Sequence, residues 1–272
     1  MLTLGVTGLF LNLRVLFMTA IFVHETITKG SEEFNLAGPF GNLYGIINHC
    51  QNPASPKVLV ISHGFRGSLE GGGRATRLAA QAAAFCTVVR FNFSDCQLLS
   101  KQVAELECVL KFVQTKLKPQ KLFLLGRSLG GATAITVASK NRSINGLILW
   151  STPHNLVHTF RNVLGAENYA KLLAGQSLSL TDERGPVFVQ AAFVQEIAQW
   201  HLAEYLKKWP AKPILIVHGS ADMVVAPAEA QANYDTVSQP KKLVYIKDGD
   251  HSFMEHGDEA NGEVLTWLKK WL

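Results

Sequence analysis

Short uninterrupted apolar runs recur along the chain at Val58–Ile61, Val88–Phe93, Leu122–Leu125, Leu147–Trp150, Ile214–Val217 and Leu243–Ile246. A strand wetted on one face alternates apolar and polar residues. Continuous runs of this kind instead suit strands of a parallel sheet, which are buried on both faces. Ile21–Thr28 and Leu43–Asn48 read as two further strands, joined antiparallel across the turn region of Gly38, Pro39 and Gly41. Between most runs the period changes to that of a helix. Val103, Leu106, Leu110, Val113 and Leu117 fall three or four apart, so they share one face of a helix that Pro119 ends. Lys101, Glu105 and Lys111 are expected on its opposite face. Another helix is expected from about Pro227, and the last should bury Val264, Trp267, Leu268 and Trp271. Strand and helix in alternation predict an α/β fold: a mostly parallel central sheet with helices on both faces and its ligand site at the carboxyl ends of the strands.

One stretch breaks the alternation. From Trp150 to Pro213 only helical patterns are legible, with Val189, Phe193, Ile197 and Trp200 on one stripe and Leu202, Tyr205, Leu206 and Trp209 on another. The expected division is a core of residues 18–152 and 211–272, a helical cap insertion at 153–210, and an N-terminal extension at 1–17.

Composition narrows the class. With 272 residues, 47% of them apolar and 17% charged, the chain can bury a large core and does not read as disordered. The formal charge of +5 is scattered, with only short pairs such as Lys207–Lys208 and Lys241–Lys242, so no nucleic-acid partner is expected. Cys50, Cys86, Cys96 and Cys108 form no CxxC pair, which points to a reducing, cytoplasmic setting. Cys96 reads as structural, because Asp95 beside it works against a thiolate. The apolar start lacks a basic n-region and an A-x-A site and carries Arg14 in mid-run, so neither a signal peptide nor a membrane anchor is expected.

The sharpest chemical signal is Gly126-Arg127-Ser128-Leu129-Gly130-Gly131, set where a strand gives way to a helix. Such a turn forces its middle residue into a strained backbone and crowds its neighbours. Glycines on both sides relieve that crowding, and Ser128 is lifted above the sheet as a candidate nucleophile. His63-Gly64-Phe65 follows the run Val58–Ile61. The main-chain N–H groups of Phe65 and Leu129 are the candidate oxyanion donors, while His63 reads as a residue that holds the turn. Later runs end in His218-Gly219-Ser220-Ala221-Asp222 and in Asp248-Gly249-Asp250-His251. His251 is the candidate base and Asp222 the group that orients it; Asp248 and Asp250 are rivals that more simply shape the His251 turn. Two other patterns carry less. His154 and His158 are four apart but lack a third ligand, so no metal is expected and they read as surface histidines. Gly71, Gly72 and Gly73 lack the Lys-Ser/Thr of a phosphate loop and read as a flexible lead into an Ala-rich helix.

With these motifs, the chain from about Ile21 to Leu272 resembles α/β-hydrolases, and among them the small capped carboxylesterases of the cinnamoyl or feruloyl esterase kind and serine-aminopeptidase-like hydrolases. The resemblance implies an eight-stranded sheet, ester hydrolysis through an acyl-enzyme, and no cofactor. Ser94-Asp95-Cys96 departs from the Gly-x-Gly loop that relatives often carry there. A small-molecule ester with an apolar or aromatic group is the expected substrate. Thioester and small-peptide or amide hydrolysis use the same parts. The reading from another class is a hydrolase-fold ligand receptor without useful turnover. Oligomeric state stays open, a homodimer included.

Overall fold

The computed structural model describes residues 27–28, 30–51, 56–94, 97–182 and 185–272. In chain order the elements are β1 (Ile27–Thr28), β2 (Ser31–Ala37), β3 (Asn42–Asn48), β4 (Lys57–Ser62), α1 (Arg74–Ala82), β5 (Thr87–Phe91), α2 (Leu99–Leu117), β6 (Lys121–Arg127), α3 (Leu129–Lys140) and β7 (Ile144–Trp150). After β7 come α4 (Leu156–Leu164), α5 (Ala166–Leu173), β8 (Leu178–Asp182), β9 (Gly185–Val189), α6 (Ala191–Ile197) and α7 (Leu202–Lys207). The chain then returns to the sheet with β10 (Ile214–Gly219), α8 (Pro227–Thr236), β11 (Lys241–Ile246) and α9 (Gly257–Trp271).

The main sheet has nine strands in the order β1-β2-β3-β5-β4-β6-β7-β10-β11. From β5 to β11 neighbouring strands run parallel; β1, β2 and β3 join the edge antiparallel. The two-residue β1 is an addition to the eight strands that the resemblance implied. Apolar runs sit on these strands because both faces are covered. Val58 and Val60 of β4, with Leu122 and Leu124 of β6, pack into one layer with α2 and α3. Their neighbours Leu59, Phe123 and Leu125 face the opposite layer with α1 and α9. The direction in which strands are added to the sheet reverses between β4 and β6, and the loops leaving β4, β6, β10 and β11 gather at one end.

The structure corrects several expectations. The partner of β3 across the Gly38–Gly41 turn is Ser31–Ala37, not Ile21–Thr28: Ala37 pairs with Asn42 and Ser31 with Asn48. A short turn leaves room for no earlier segment. The alternation of Glu32, Phe34 and Leu36 inward was obscured because Glu32 is a buried charge, ion-paired to Lys116 and hydrogen-bonded to His49. Only residues 27 and 28 of the expected first strand, and none of the extension at 1–17, fall within the described residues; Asp95 and Cys96 also lie outside them. Glu105 is not on a wetted face. It is fully buried and accepts hydrogen bonds from the Ser94 amide and hydroxyl, fixing the end of the loop after β5.

The segment between β7 and β10 is not wholly helical. It contains the antiparallel hairpin β8-β9, in which Leu178 pairs with Val189 and Leu180 with Val187. Val189 therefore belongs to a strand, and Trp200 lies in the loop between α6 and α7, so the expected stripe holds only for Phe193 and Ile197. Spacings of four residues at Val189 and Phe193 imitate one helix across a strand-to-helix junction.

Candidate active site

Ser128 closes β6 and opens α3 with φ 53° and ψ −124°, a conformation rarely adopted by an L-residue and held here by its surroundings. The glycines around it are required by close backbone approach. A Cβ on Gly126 would lie 2.6 Å from Gly131 Cα, and one on Gly130 would strike the carbonyls of Ser62 and His63. The Ser128 amide donates to Trp150 O at 2.9 Å, which fastens the turn to the end of β7. Leu129 is the first residue of α3, where helical amides have no carbonyl partner within the helix.

The loop after β4 leans on this turn. A Cβ on Gly64 would sit 2.9 Å from Ser128 Cβ and 3.4 Å from Leu129 N, so Phe65 follows directly at the turn. His63 is buried beneath it. Its Nδ1 is 3.0 Å from Gly64 O and its Nε2 3.1 Å from the Phe93 amide, so Nδ1 donates and Nε2 accepts. Burial pushes its imidazole down to about 4, which keeps that tautomer neutral and agrees with a turn-holding role.

The loops after β10 and β11 complete the arrangement. His251 Nε2 lies 3.1 Å from Ser128 Oγ, and His251 Nδ1 lies 2.8 Å from Asp222 Oδ2. Asp222 Oδ1 accepts from the amides of Val224 and Val225, both at 2.9 Å. The two loops are registered by main-chain contact: the Ala221 amide donates to Gly249 O at 3.0 Å, and a Cβ on Gly219 would collide with that same carbonyl. Burial opposes the charge on Asp222, but hydrogen bonds from His218 and His251 outweigh it and hold the carboxyl well below the usual range. Burial lowers the His251 pKa, the hydrogen bond to Asp222 opposes that, and the Arg127 cation adds to the lowering. Asp250 accepts the Met254 amide through Oδ1 and Asp248 adopts φ 54°, so both shape the turn.

All five residues singled out in the sequence, Phe65, Ser128, Leu129, Asp222 and His251, thus sit at one end of the sheet. A cleft of about 470 Å³ opens there, walled by Phe65, Thr159, Phe160, Val163, Met223 and Val224 around Ser128 and His251. Phe65 stacks on Phe193 at 5.3 Å and meets Phe160 edge-on at 5.8 Å, which links the loop after β4 to α4 and α6. Sequence reasoning missed His218, which is fully buried with Nε2 2.8 Å from Val225 O and 3.3 Å from Asp222 Oδ2. A histidine ending an otherwise apolar run was the available signal. His158 is an exposed surface histidine, as expected, and His154 is half-buried. The His154 amide and His158 Nδ1 both engage the Glu229 carboxylate of α8. Among the described residues no cluster of His, Cys, Asp or Glu could hold a metal ion, and no helix is long and apolar enough to cross a membrane.

The profile of the alpha/beta hydrolase family matches residues 58–263, a span that includes all five of these positions. The chain belongs to that family. Among solved structures, Est1E from Butyrivibrio proteoclasticus superposes with a TM-score of 0.75 at 18% identity, over 88% of this chain and 98% of that one. An esterase domain of a Rhodothermus marinus protein gives 0.65 at 18% identity, over 89% and 98%. These likenesses show a shared fold, and the family match names it as that of the α/β-hydrolases. In sequence the chain is 26% identical over 160 residues to the uncharacterized protein YfhR of Escherichia coli strain K12, covering 57% of this chain and 48% of that protein. The YfhR of Salmonella typhimurium is 27% identical over 154 residues, 53% and 44% of the two chains. The chain spans about half the length of these curated relatives.

Proposed function

We propose that this α/β-hydrolase is a serine hydrolase that cleaves carboxylic esters through an acyl-enzyme. The observation that carries the reading is the hydrogen-bonded series Asp222–His251–Ser128 facing a cleft with aromatic walls. Ser128 Oγ attacks the ester carbonyl while its proton passes to His251 Nε2. The amides of Phe65 and Leu129 hold the resulting oxyanion. As the C–O bond breaks, His251 returns the proton to the leaving alcohol; water then attacks the acyl-enzyme, with His251 taking its proton and handing it to Ser128 as the acid departs. Asp222 keeps Nδ1 protonated and supports the imidazolium between these transfers. Phe65, Phe160 and Val163 favour an apolar or aromatic group of moderate size beside the scissile bond.

A fluorophosphonate probe and a panel of p-nitrophenyl esters, thioesters and anilides test this reading. Labelling that vanishes in Ser128→Ala, with turnover greatest on esters, is the expected result. Labelling without turnover on any member would favour a ligand receptor, and a preference for thioester or anilide would move the reaction class.

A further inference from the structure

We infer that Arg127 is a positioning residue that straps the loop carrying His251 to the strand carrying Ser128. It immediately precedes the nucleophile candidate and occupies the last position of β6, paired with Trp150 of β7. Its backbone is therefore as fixed as the sheet itself. From there Nη2 crosses to the other loop, donating to His251 O at 3.3 Å and to Ser252 Oγ at 3.0 Å. One guanidinium thus engages the main chain of the base residue and the side chain of its successor. The Ser128–His251 contact at 3.1 Å is short enough for proton transfer, and displacements of about 1 Å at such a contact cost roughly a hundredfold in rate.

The strap has an electrostatic side. The groups that face the His251 ring are Asp222 on Nδ1, His218 beyond that carboxylate, Ser128 on Nε2, and Arg127; Asp250 lines the same cleft. A cation close to His251 disfavours the imidazolium and keeps the base neutral at lower pH, in the same direction as burial. Position and charge separate by substitution. Lysine keeps the charge but carries it on a shorter, flexible stem that does not place a donor where Nη2 sits, whereas glutamine loses the charge.

The inference rests on the serine-hydrolase reading, so the test reports on each separately. Fluorophosphonate labelling rate and p-nitrophenyl acetate hydrolysis are measured against pH for the parent, Arg127→Lys, Arg127→Gln and Ser252→Ala, with thermal unfolding checking that each is folded. Arg127→Gln is expected to lower kcat about ten- to hundredfold with KM changed less than about threefold, and to move the apparent pKa of the rate upward. Arg127→Lys should lose kcat while its pKa stays near the parent's. Ser252→Ala, which removes one acceptor and leaves the cation, should slow labelling about two- to fivefold. Folded Arg127→Gln with kcat within about twofold of the parent and an unmoved pH profile would overturn the strap alone. A rise in KM confined to anionic esters, with kcat kept, would likewise overturn it by placing Arg127 on the substrate. Should the Arg127 variants fail to fold, an unchanged labelling rate in Ser252→Ala overturns the strap. Failure of the parent to label would remove the Ser128 reading and the strap with it.

Discussion

The loops at the carboxyl end of the sheet and the segment between β7 and β10 meet at the same cleft but are held by different means. In the loops, backbone touches backbone. Gly126 abuts Gly131, Gly130 lies against the carbonyls of Ser62 and His63, and Gly219 lies against that of Gly249. The intervening segment is held by side chains: Glu229 receives His154, Asn155 and His158, Gln97 reaches Phe188 and Gln190, and Phe160 and Phe193 pack on Phe65. A main-chain contact cannot be altered without moving the chain. A side-chain contact can be exchanged for another. On the proposed reading, the contrast puts the proton-transfer geometry in main-chain contacts of the core and substrate choice in side chains of the intervening segment.

The largest expected effect falls on the fixed side. Ser128→Ala should lower kcat by about 10⁴- to 10⁶-fold, because nucleophile and base act as one unit. Steady-state hydrolysis of p-nitrophenyl esters measures it, and a loss below about tenfold would end the assignment of Ser128.

Glycine substitutions sharpen the contrast next. Gly130→Ala drives a methyl into two main-chain carbonyls, and such overpacking should cost about 3 kcal/mol, read from urea unfolding, with activity lost in parallel. Gly262 in α9 is the matched control. A Cβ there meets nothing within 4 Å, so Gly262→Ala should stabilise by about 0.5–1 kcal/mol through helix propensity. Equal effects at the two positions would show that backbone approach at the Ser128 turn is unimportant.

A smaller effect is expected from the exchangeable side. Phe160→Ala removes a ring that packs on both Phe65 and Phe193, at 5.8 and 4.7 Å. It should raise KM for an aromatic ester about tenfold while leaving kcat for p-nitrophenyl acetate within about threefold. If both substrates lose kcat equally, the segment takes part in the chemistry and the division fails.

The same division explains what could be read from the sequence. Strands buried on both faces write themselves as apolar runs, and a glycine forced by backbone contact leaves a fixed letter. The sheet and the Ser128 turn were therefore visible. β2 was not, because Glu32 occupies an inward position and its pairing with Lys116 is long-range. The β8-β9 hairpin was hidden by Leu and Val spacings that a helix would share, although Gly185-Pro186 at its bend was a turn signal. His218 contacts residues 222 and 225 close by and had a signal of its own as a histidine ending an apolar run, but the Arg127 contact to residues 251 and 252 and the Glu229 cluster depend on partners more than seventy residues away. Local spacing carries no trace of such partners.

The mildest test concerns pH. His251 has to be neutral to accept the Ser128 proton, so kcat/KM should rise with pH as the imidazolium of the free enzyme is lost. Burial depresses the pKa of that ring, the Asp222 hydrogen bond works against the depression, and Arg127 adds to it. The sign follows directly: a lowered pKa extends the neutral base to more acidic solution, so the rise should centre below the ordinary histidine value of about 6.5 and level off above it. Asp222, held well below its usual range, stays charged through this window and should add no second inflection there. Measuring kcat/KM for a neutral ester from about pH 4 to 8 checks both statements. A midpoint above 6.5 would mean that Asp222 outweighs burial and Arg127 together, and that the base is wetter than the fixed loops around it allow. A profile flat across the whole interval would take His251 out of the proton transfer altogether.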